Sequence, residues 1–257
     1  TFFNSDKPIL FPDVTYSFYP VWANVYRIPY ECPKLTDDFR ICLDDYKKEN
    51  GGVVIANPNA PTSLALSRDE IEEIIAANQD VIVIVDEAYI DFAGESALSL
   101  LDKYDNLIIT QTFSKARSMA GMRIGYAIAS PLLIKYLNDA KYSFNSYTMN
   151  KTSLVYGAEA VKDKEYFAET TRKIVETRDW AEEEFKKLGF VFPKPSANFI
   201  FVSHPEYDAK ELFEAMKAKG IYVRFWGSER IEQYLRVTIG TREEMEALFA
   251  FLREYMM

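Results

Sequence analysis

The segment Val81–Val85 constrains the fold of this 257-residue chain more than any other, because all five of its residues (VIVIV) are apolar and β-branched. A strand that is covered on one face alternates apolar and polar residues, whereas a strand covered on both faces does not. The run is far too short to cross a membrane. It therefore predicts a central strand of a mainly parallel sheet with helices on both faces.

Short apolar runs alternate with helical patterns through the first two-thirds of the chain. Gly52–Ala56 predicts a second buried strand, and Ser67 opens a capping box that begins a helix. Two more strands are expected at Leu107–Thr110 and Ile124–Ala129, and Pro131 suits the first position of the next helix. This alternation predicts an α/β fold with right-handed crossovers.

The pattern changes after about residue 150. The charged, amphipathic stretch Lys164–Leu188 predicts a long helix ended by Gly189. The later predicted elements are a strand at Phe199–Val202, a helix at Ala209–Lys219, strands at Ile221–Arg224 and Tyr234–Ile239, and a helix begun by a capping box of Thr241 and Glu244. We therefore expect a large domain over residues 1–163 and a smaller α+β domain over residues 164–257.

Charge and cysteine content limit the classes of partner. The chain has 30 basic and 39 acidic residues and a net charge of −9. Nucleic acids and anionic membranes attract positive surfaces, so neither is an expected partner. The two cysteines, Cys32 and Cys42, fit neither a disulfide framework nor a metal-ligand spacing. Without a secretory signal at its start, the chain is expected in the cytoplasm.

Asp86-Glu87-Ala88-Tyr89 follows directly on the predicted central strand. Ligands of open α/β sheets bind beyond the carboxyl ends of the strands. A carboxylate at such an end is costly to bury unless a cation pairs with it, and a protonated pyridine nitrogen is such a cation. The alternative is that Asp86 caps a helix, which is the more common case for this motif alone.

A lysine follows the next predicted strand. Lys115 is flanked by the small hydroxyl residues Thr112 and Ser114, and Arg123 stands eight residues further on. A lysine in such a junction suits Schiff-base chemistry, because partial burial readily lowers the pKa of an amine. Hydroxyl groups and a guanidinium fork suit a phosphate. The alternative is a surface Lys and Arg around a turn, which the flanking buried strands argue against.

The loop Asn57-Pro58-Asn59-Ala60-Pro61-Thr62 follows the strand Gly52–Ala56. Two prolines make the loop rigid, and an asparagine in it could bond a phenolic oxygen. On its own the motif is only a turn signature.

Taken in order, these motifs resemble those of fold-type I pyridoxal-phosphate-dependent aminotransferases. The motifs are NPNAPT, DEAY, and SKA followed eight residues after its lysine by an arginine and then by GY. Within this group the chain is most similar to the histidinol-phosphate aminotransferase family. The resemblance runs from Phe11 to the end of the chain.

The resemblance implies a role for each matching residue. Lys115 would hold pyridoxal 5'-phosphate as a Schiff base and move a proton at the substrate α-carbon. The other cofactor contacts would come from Tyr16 on the ring face, Asp86 at the pyridinium nitrogen, Tyr89 at the phenolic oxygen, and Thr112, Ser114 and Arg123 at the phosphate. Arg236 would bind the substrate α-carboxylate, and Arg224 would suit the phosphate of histidinol phosphate.

The resemblance also implies the wider setting of the protein. It implies a homodimeric, cytoplasmic enzyme of histidine biosynthesis that passes an amino group from histidinol phosphate to 2-oxoglutarate.

The chain departs from the family pattern at three places. Ala60 stands where the family has an asparagine that contacts the cofactor, so Asn59 or else Asn57 is expected to take over that contact. Ser63 stands where the family has a glycine. The family also has about 90 residues before the position of Thr1, including a turn whose amides at a helix start hold the cofactor phosphate. We therefore expect an N-terminally truncated site that lacks one wall.

Two other functions stay open on the sequence. A threonine-phosphate decarboxylase would keep nearly all of these residues and would also bind a phosphorylated substrate. A non-catalytic remnant of the aminotransferase fold would keep the fold without binding the cofactor. A nicotinamide-binding protein is a poor alternative, because no G-x-G-x-x-G motif follows any predicted strand.

Overall fold

The apolar run forms a central strand in the computed structural model, which describes residues 1–257. This strand, β4, spans Val83–Asp86 and lies between β3 (Gly52–Ala56) and β5 (Leu107–Thr112), both parallel to it. Val83 and Val85 are buried on one face, and α-helices and loops cover that face. The prediction of a central parallel strand is confirmed.

The first sheet has six strands in the order β2-β1-β3-β4-β5-β6. Strands β1 (Ile9–Leu10) and β2 (Tyr30–Glu31) extend the parallel part at one edge. At the other edge β6 (Gly125–Ala129) pairs with β5 in the antiparallel direction. The sheet is therefore mainly parallel, as predicted, and its last strand starts at the edge where the parallel strands end.

Four helices follow or flank this sheet: α1 (Phe18–Tyr26), α2 (Arg68–Ala77), α3 (Pro131–Phe144) and α4 (Lys151–Lys162). The capping box predicted at Ser67 is present, since its hydroxyl accepts the N–H of Glu70 while the Glu70 carboxylate accepts the N–H of Ser67. Three isoleucines of α2 at helical spacing join a core of 14 buried residues beneath the sheet.

The second sheet follows the long helix α5 (Lys164–Lys187), which ends before Gly189 in the left-handed region (φ 82°). This sheet is antiparallel in the order β7-β9-β8. Its elements are β7 (Phe199–Val202), α6 (Ala209–Ala218), β8 (Arg224–Phe225), β9 (Leu235–Thr238) and α7 (Arg242–Tyr255). A separate core of 15 buried residues lies under it.

Strand β8 begins three residues later than the sequence predicts. The N–H of Gly220 donates to the carbonyl of Lys217, and the N–H of Ile221 donates to that of Met216. These bonds close the end of α6 with Gly220 in the left-handed region. Residues 221–223 therefore form the exit from the helix, and the strand starts only at Arg224.

The second sheet packs on the carboxyl edge of the first through a small apolar cluster. Its six buried members are Ala60, Tyr89, Phe92, Ala116, Ala197 and Phe199. Arg178 of α5 reinforces this contact, because its Nη1 donates to the carbonyls of Phe92 (3.3 Å) and Ala197 (3.0 Å). None of the helices is both long enough and apolar enough to cross a membrane.

Candidate active site

A cleft of about 420 Å³ opens at the carboxyl edge of the first sheet. Strands β1, β3, β4 and β5 are parallel, so the residues after each of them meet at this edge. Because β6 runs the other way, the residue before its start, Arg123, reaches the same edge. The fold therefore brings together segments that are more than 100 residues apart in the sequence.

Seven of the eight residues predicted to contact the cofactor, counting Lys115, line this cleft. They are Tyr16, Asp86, Tyr89, Thr112, Ser114, Lys115 and Arg123. The eighth, Asn59, does not.

Asp86 is the acidic group of the cleft, and its partners are neutral. Its Oδ2 accepts the hydroxyl of Tyr19 at 2.8 Å, and its Oδ1 accepts the N–H of Ala88 at 3.1 Å. Burial raises the pKa of the Asp86 carboxyl, against the opposing effects of the Tyr19 and Ala88 hydrogen bonds and the charge of Lys115. A three-residue 3₁₀ helix follows at Ile90–Phe92, so Asp86 does not cap an α-helix. The carboxylate is placed to pair with a cation that enters the cleft.

Lys115 lies on the turn between β5 and β6. Its Nζ stands 5.0 Å from the centre of the Tyr89 ring, and no carboxylate lies within salt-bridge distance of it. Its carbonyl accepts the N–H of Ser118 at 2.9 Å, which holds the turn in place. An amine so placed is available to a carbonyl group of a ligand.

Hydroxyl groups and a guanidinium form the third part of the cleft. The hydroxyl of Thr112 lies 3.0 Å from Ser114 Oγ and accepts the N–H of Ser114 at 3.1 Å. Arg123 adopts a left-handed backbone conformation (φ 55°), and its Nη1 donates to the carbonyl of Ala120 at 2.9 Å. The remaining donors of the guanidinium stay open to an anion.

Two arginines of the second sheet form a cationic pair. Arg224 on β8 is the direct cross-strand partner of Arg236 on β9, so both side chains lie on one face of the sheet. The ring of Trp226 lies near both, 5.3 Å from the Arg224 guanidinium and 5.6 Å from that of Arg236. Phe199 lies 4.9 Å from the Arg236 guanidinium on another side.

This pair lacks a carboxylate partner within the chain. Burial lowers the pKa of Arg236, the nearby Tyr89 raises it, and the charge of Arg224 lowers it further. The Nε of Arg236 is buried without a hydrogen-bond partner. Like charges placed opposite each other on a sheet are unfavourable unless an anion neutralises them. The pair is therefore suited to a carboxylate or phosphate.

The structure does not support the prediction that Asn59 contacts the cofactor. Its Oδ1 accepts the hydroxyl of Thr15 at 2.7 Å, and its Nδ2 donates to the carbonyl of Val14 and the hydroxyl of Thr62. The side chain of Asn57 is also used within the chain, since its Nδ2 donates to the carbonyl of Leu66 and its Oδ1 accepts the N–H of Leu66. Both asparagines hold the loop itself, and only Pro58 and Ala60 of this loop face the cleft.

Sequence reasoning missed four aromatic residues of the site. Tyr19 donates to Asp86, Trp22 lines the cleft, and Phe199 and Trp226 flank the arginines. Tyr19 and Trp22 follow Tyr16 at intervals of three residues, the spacing of one helix face, and this was the available signal. Nothing in the sequence near Phe199 distinguishes it from an ordinary core residue.

Comparison with known proteins identifies the family. A family model described as aminotransferase class I and II matches residues 1–252, and the chain belongs to this family. It is 50% identical over 256 residues to a histidinol-phosphate aminotransferase of Lactococcus lactis subsp. cremoris, covering all of this chain and 72% of that relative. A histidinol-phosphate aminotransferase of Clostridium botulinum is 50% identical over 246 residues, which are 96% of this chain and 70% of that relative.

A solved structure agrees with the sequence comparison. The histidinol-phosphate aminotransferase of Sinorhizobium meliloti, in complex with pyridoxal-5'-phosphate, superimposes with a TM-score of 0.87 at 25% identity. The match covers 98% of this chain and 71% of that one. The fold is that of the fold-type I aminotransferases, and pyridoxal phosphate is the cofactor of the family.

The residues of the cleft fit this cofactor. Asp86 offers a carboxylate whose only hydrogen-bond partners are neutral, which suits a protonated ring nitrogen. Lys115 offers an amine without a carboxylate partner, which suits the aldehyde. Thr112, Ser114 and Arg123 offer donors for a phosphate. The three sets of residues thus match three functional groups of the cofactor: its ring nitrogen, its aldehyde and its phosphate.

Proposed function

We propose that this aminotransferase moves an amino group from histidinol phosphate to 2-oxoglutarate, as a step of histidine biosynthesis. One observation carries the proposal. The cleft with Lys115, Asp86 and Arg123 lies beside the arginine pair Arg224 and Arg236, which has no anionic partner of its own. Histidinol phosphate and 2-oxoglutarate are both anionic, and each could neutralise that pair.

Each residue of the cleft has a distinct task in this proposal. Pyridoxal phosphate, when bound, supplies an electron sink next to the substrate α-carbon. Lys115 would hold the cofactor through its amine, and the same amine would carry the proton that leaves and returns to that carbon. Asp86 keeps the proton on the ring nitrogen. Tyr89 donates a hydrogen bond to the phenolic oxygen, and Tyr16 packs on the face of the ring.

The remaining contacts orient the ligands. Thr112, Ser114 and Arg123 bind the cofactor phosphate, and this anchors the ring while substrates exchange. Arg236 and Arg224 bind the carboxylates of 2-oxoglutarate or the phosphate of histidinol phosphate, and so place the reacting carbon near Lys115. Asn59 has no role in this scheme, because its amide is used within its own loop.

We also propose that the chain divides into domains at residues 163 and 164 and acts as a cytoplasmic homodimer. The domain division is supported by the separate cores under the two sheets. The dimer is supported by large apolar side chains that stay exposed beside the site, among them Phe18, Trp22 and Tyr26. A net charge of −9 speaks against nucleic acid and anionic membranes as partners.

The experiment that tests the proposed reaction compares two substrates on the same protein. With pyridoxal phosphate present, we expect glutamate to form from histidinol phosphate and 2-oxoglutarate, and no carbon dioxide to form from threonine phosphate. Lys115→Ala should abolish the glutamate. Release of carbon dioxide would favour a decarboxylase instead. A folded chain that produces neither would favour a non-catalytic protein.

A further inference from the structure

Ser63 is a fully buried serine in an unusual backbone conformation. Its relative exposure is 0%, and its φ of 65° lies in the left-handed region that disfavours residues with a side chain. It follows the loop that presents Pro58 and Ala60 to the cleft. A strained position of this kind persists only where surrounding contacts hold it.

The contacts that hold Ser63 come from the segment just before β7. Its Oγ accepts the N–H of Ser196 at 3.1 Å and the N–H of Ala197 at 2.9 Å. Its carbonyl accepts the N–H of Ser196 at 2.8 Å. The partners are 133 and 134 residues away in the sequence, so these bonds join the cofactor-side loop to the segment that enters β7.

The segment that enters β7 leads to Phe199, which contacts the proposed substrate-binding residue Arg236. Phe199 begins β7, and its ring lies 5.0 Å from that of Tyr89 and 4.9 Å from the guanidinium of Arg236. Between Ala197 and Phe199, the carbonyl of Asn198 accepts the N–H of Ile239 next to β9. A shift at Ala197 would therefore move Phe199, whose ring contacts the guanidinium of Arg236.

We propose that Ser63 is a positioning residue, whose hydroxyl clamps the start of β7 to the cofactor-side loop and so fixes Arg236 relative to the cleft. The catalytic part of this proposal rests on the proposed function. The structural part does not, because the clamp exists in the chain without any ligand.

The test uses two variants that remove the hydroxyl in different ways. Ser63→Gly removes it and relieves the left-handed backbone, whereas Ser63→Ala removes it and keeps the Cβ. Ser130→Ala is the matched control, since Ser130 occupies the N-cap position of α3 but its side chain makes no capping hydrogen bond. Hydrogen exchange at the amides of Ser196 and Ala197 is measured in all of them, together with the KM for 2-oxoglutarate.

We expect exchange at the Ala197 amide to accelerate about tenfold in both variants, as for the loss of about 1.4 kcal/mol of hydrogen bonding. The Ser196 amide is the internal reference, because it keeps its bond to the carbonyl of Ser63. KM should rise about threefold to tenfold with the cofactor spectrum unchanged. Unchanged exchange at Ala197, or acceleration there in only one variant, overturns the clamp whatever the substrate is. Faster exchange with an unchanged KM overturns the positioning of Arg236. A parent chain without turnover contradicts the proposed function, and exchange alone then decides the clamp.

Discussion

Arg236 is the residue whose surroundings most directly define the substrate site. Its guanidinium is half-buried near the rings of Phe199 and Trp226, its Nε has no hydrogen-bond partner, and Arg224 is its cross-strand neighbour. A planar fork of this kind binds a carboxylate through two parallel hydrogen bonds, which a lysine cannot reproduce.

Arg236→Lys should therefore raise the KM for 2-oxoglutarate by about tenfold or more, because a charge-assisted hydrogen bond is worth about 1.5–3 kcal/mol. Steady-state kinetics measures this effect. Arg242→Lys is the matched control, because Arg242 is paired with Glu246 on the exposed face of α7. An unchanged KM in Arg236→Lys would remove this residue from the substrate site.

Asp86 should make the cofactor-free chain less stable at neutral pH. Burial raises its pKa in the folded chain, so folding favours the protonated carboxyl. The stabilising contribution of the protonated form is complete below the unfolded pKa of about 3.9 and is lost as pH rises through the folded pKa. An asparagine in its place carries no charge to bury.

Asp86→Asn should accordingly increase the free energy of unfolding at pH 7, and the difference should shrink toward pH 4. Urea denaturation of both proteins without cofactor measures it. With pyridoxal phosphate added, the order should reverse, since a ligand stabilises the protein that binds it more tightly. A variant less stable than the parent at pH 7 without cofactor would contradict this account.

At the residue scale, strand order explains what the sequence could predict. Asp86, Lys115 and Arg123 each stand at the end or start of a strand that the apolar pattern reveals, so their meeting at one edge follows from the fold class. The bond from Tyr19 depends on where α1 packs, which no local pattern specifies. The contact predicted for Asn59 stays a prediction, and it has no support from the loop, which turns the amide toward Val14 and Thr15.

At the scale of elements, the capping box of α2 illustrates a local signal with a measurable effect. Ser67→Ala should lower the free energy of unfolding by about 1 kcal/mol, because the N–H of Glu70 loses its acceptor. Ser130→Ala, at the start of α3, should change stability by less than about 0.5 kcal/mol, since that side chain makes no capping bond. Equal effects in chemical denaturation would show that the α2 box contributes nothing.

Helices with strong end signals lie where the sequence predicts them, whereas the short strand β8 does not. Helix α7 begins after its capping box at Thr241, and α5 ends before Gly189. Strand β8 is only two residues long and starts late, because Gly220 and Ile221 are used to close α6. The antiparallel direction of β6 was not predictable, since periodicity reports burial and not strand direction.

At the scale of the molecule, the site lies where two separately packed sheets meet. The first sheet supplies the groups that fit the cofactor, and the second supplies the arginine pair. Contacts across the junction include an apolar cluster around Tyr89 and Phe199 and a second one around Phe39 and Phe201. The hydrogen bonds of Arg178 and Ser63 and the ion pair of Arg230 with Asp13 add to them. The relative placement of the two sheets therefore decides how far a bound substrate lies from Lys115.

The proposed function depends above all on Lys115, which would hold pyridoxal phosphate in the cleft of this chain. The most direct test is the visible absorption spectrum of the purified chain after pyridoxal phosphate is added and the excess removed. Lys115→Ala is compared with Lys135→Ala, in which an exposed lysine paired with Asp139 is removed. We predict a retained visible band in the parent and in Lys135→Ala, and none in Lys115→Ala. A folded parent without the band, or a band that survives Lys115→Ala, would contradict the claim.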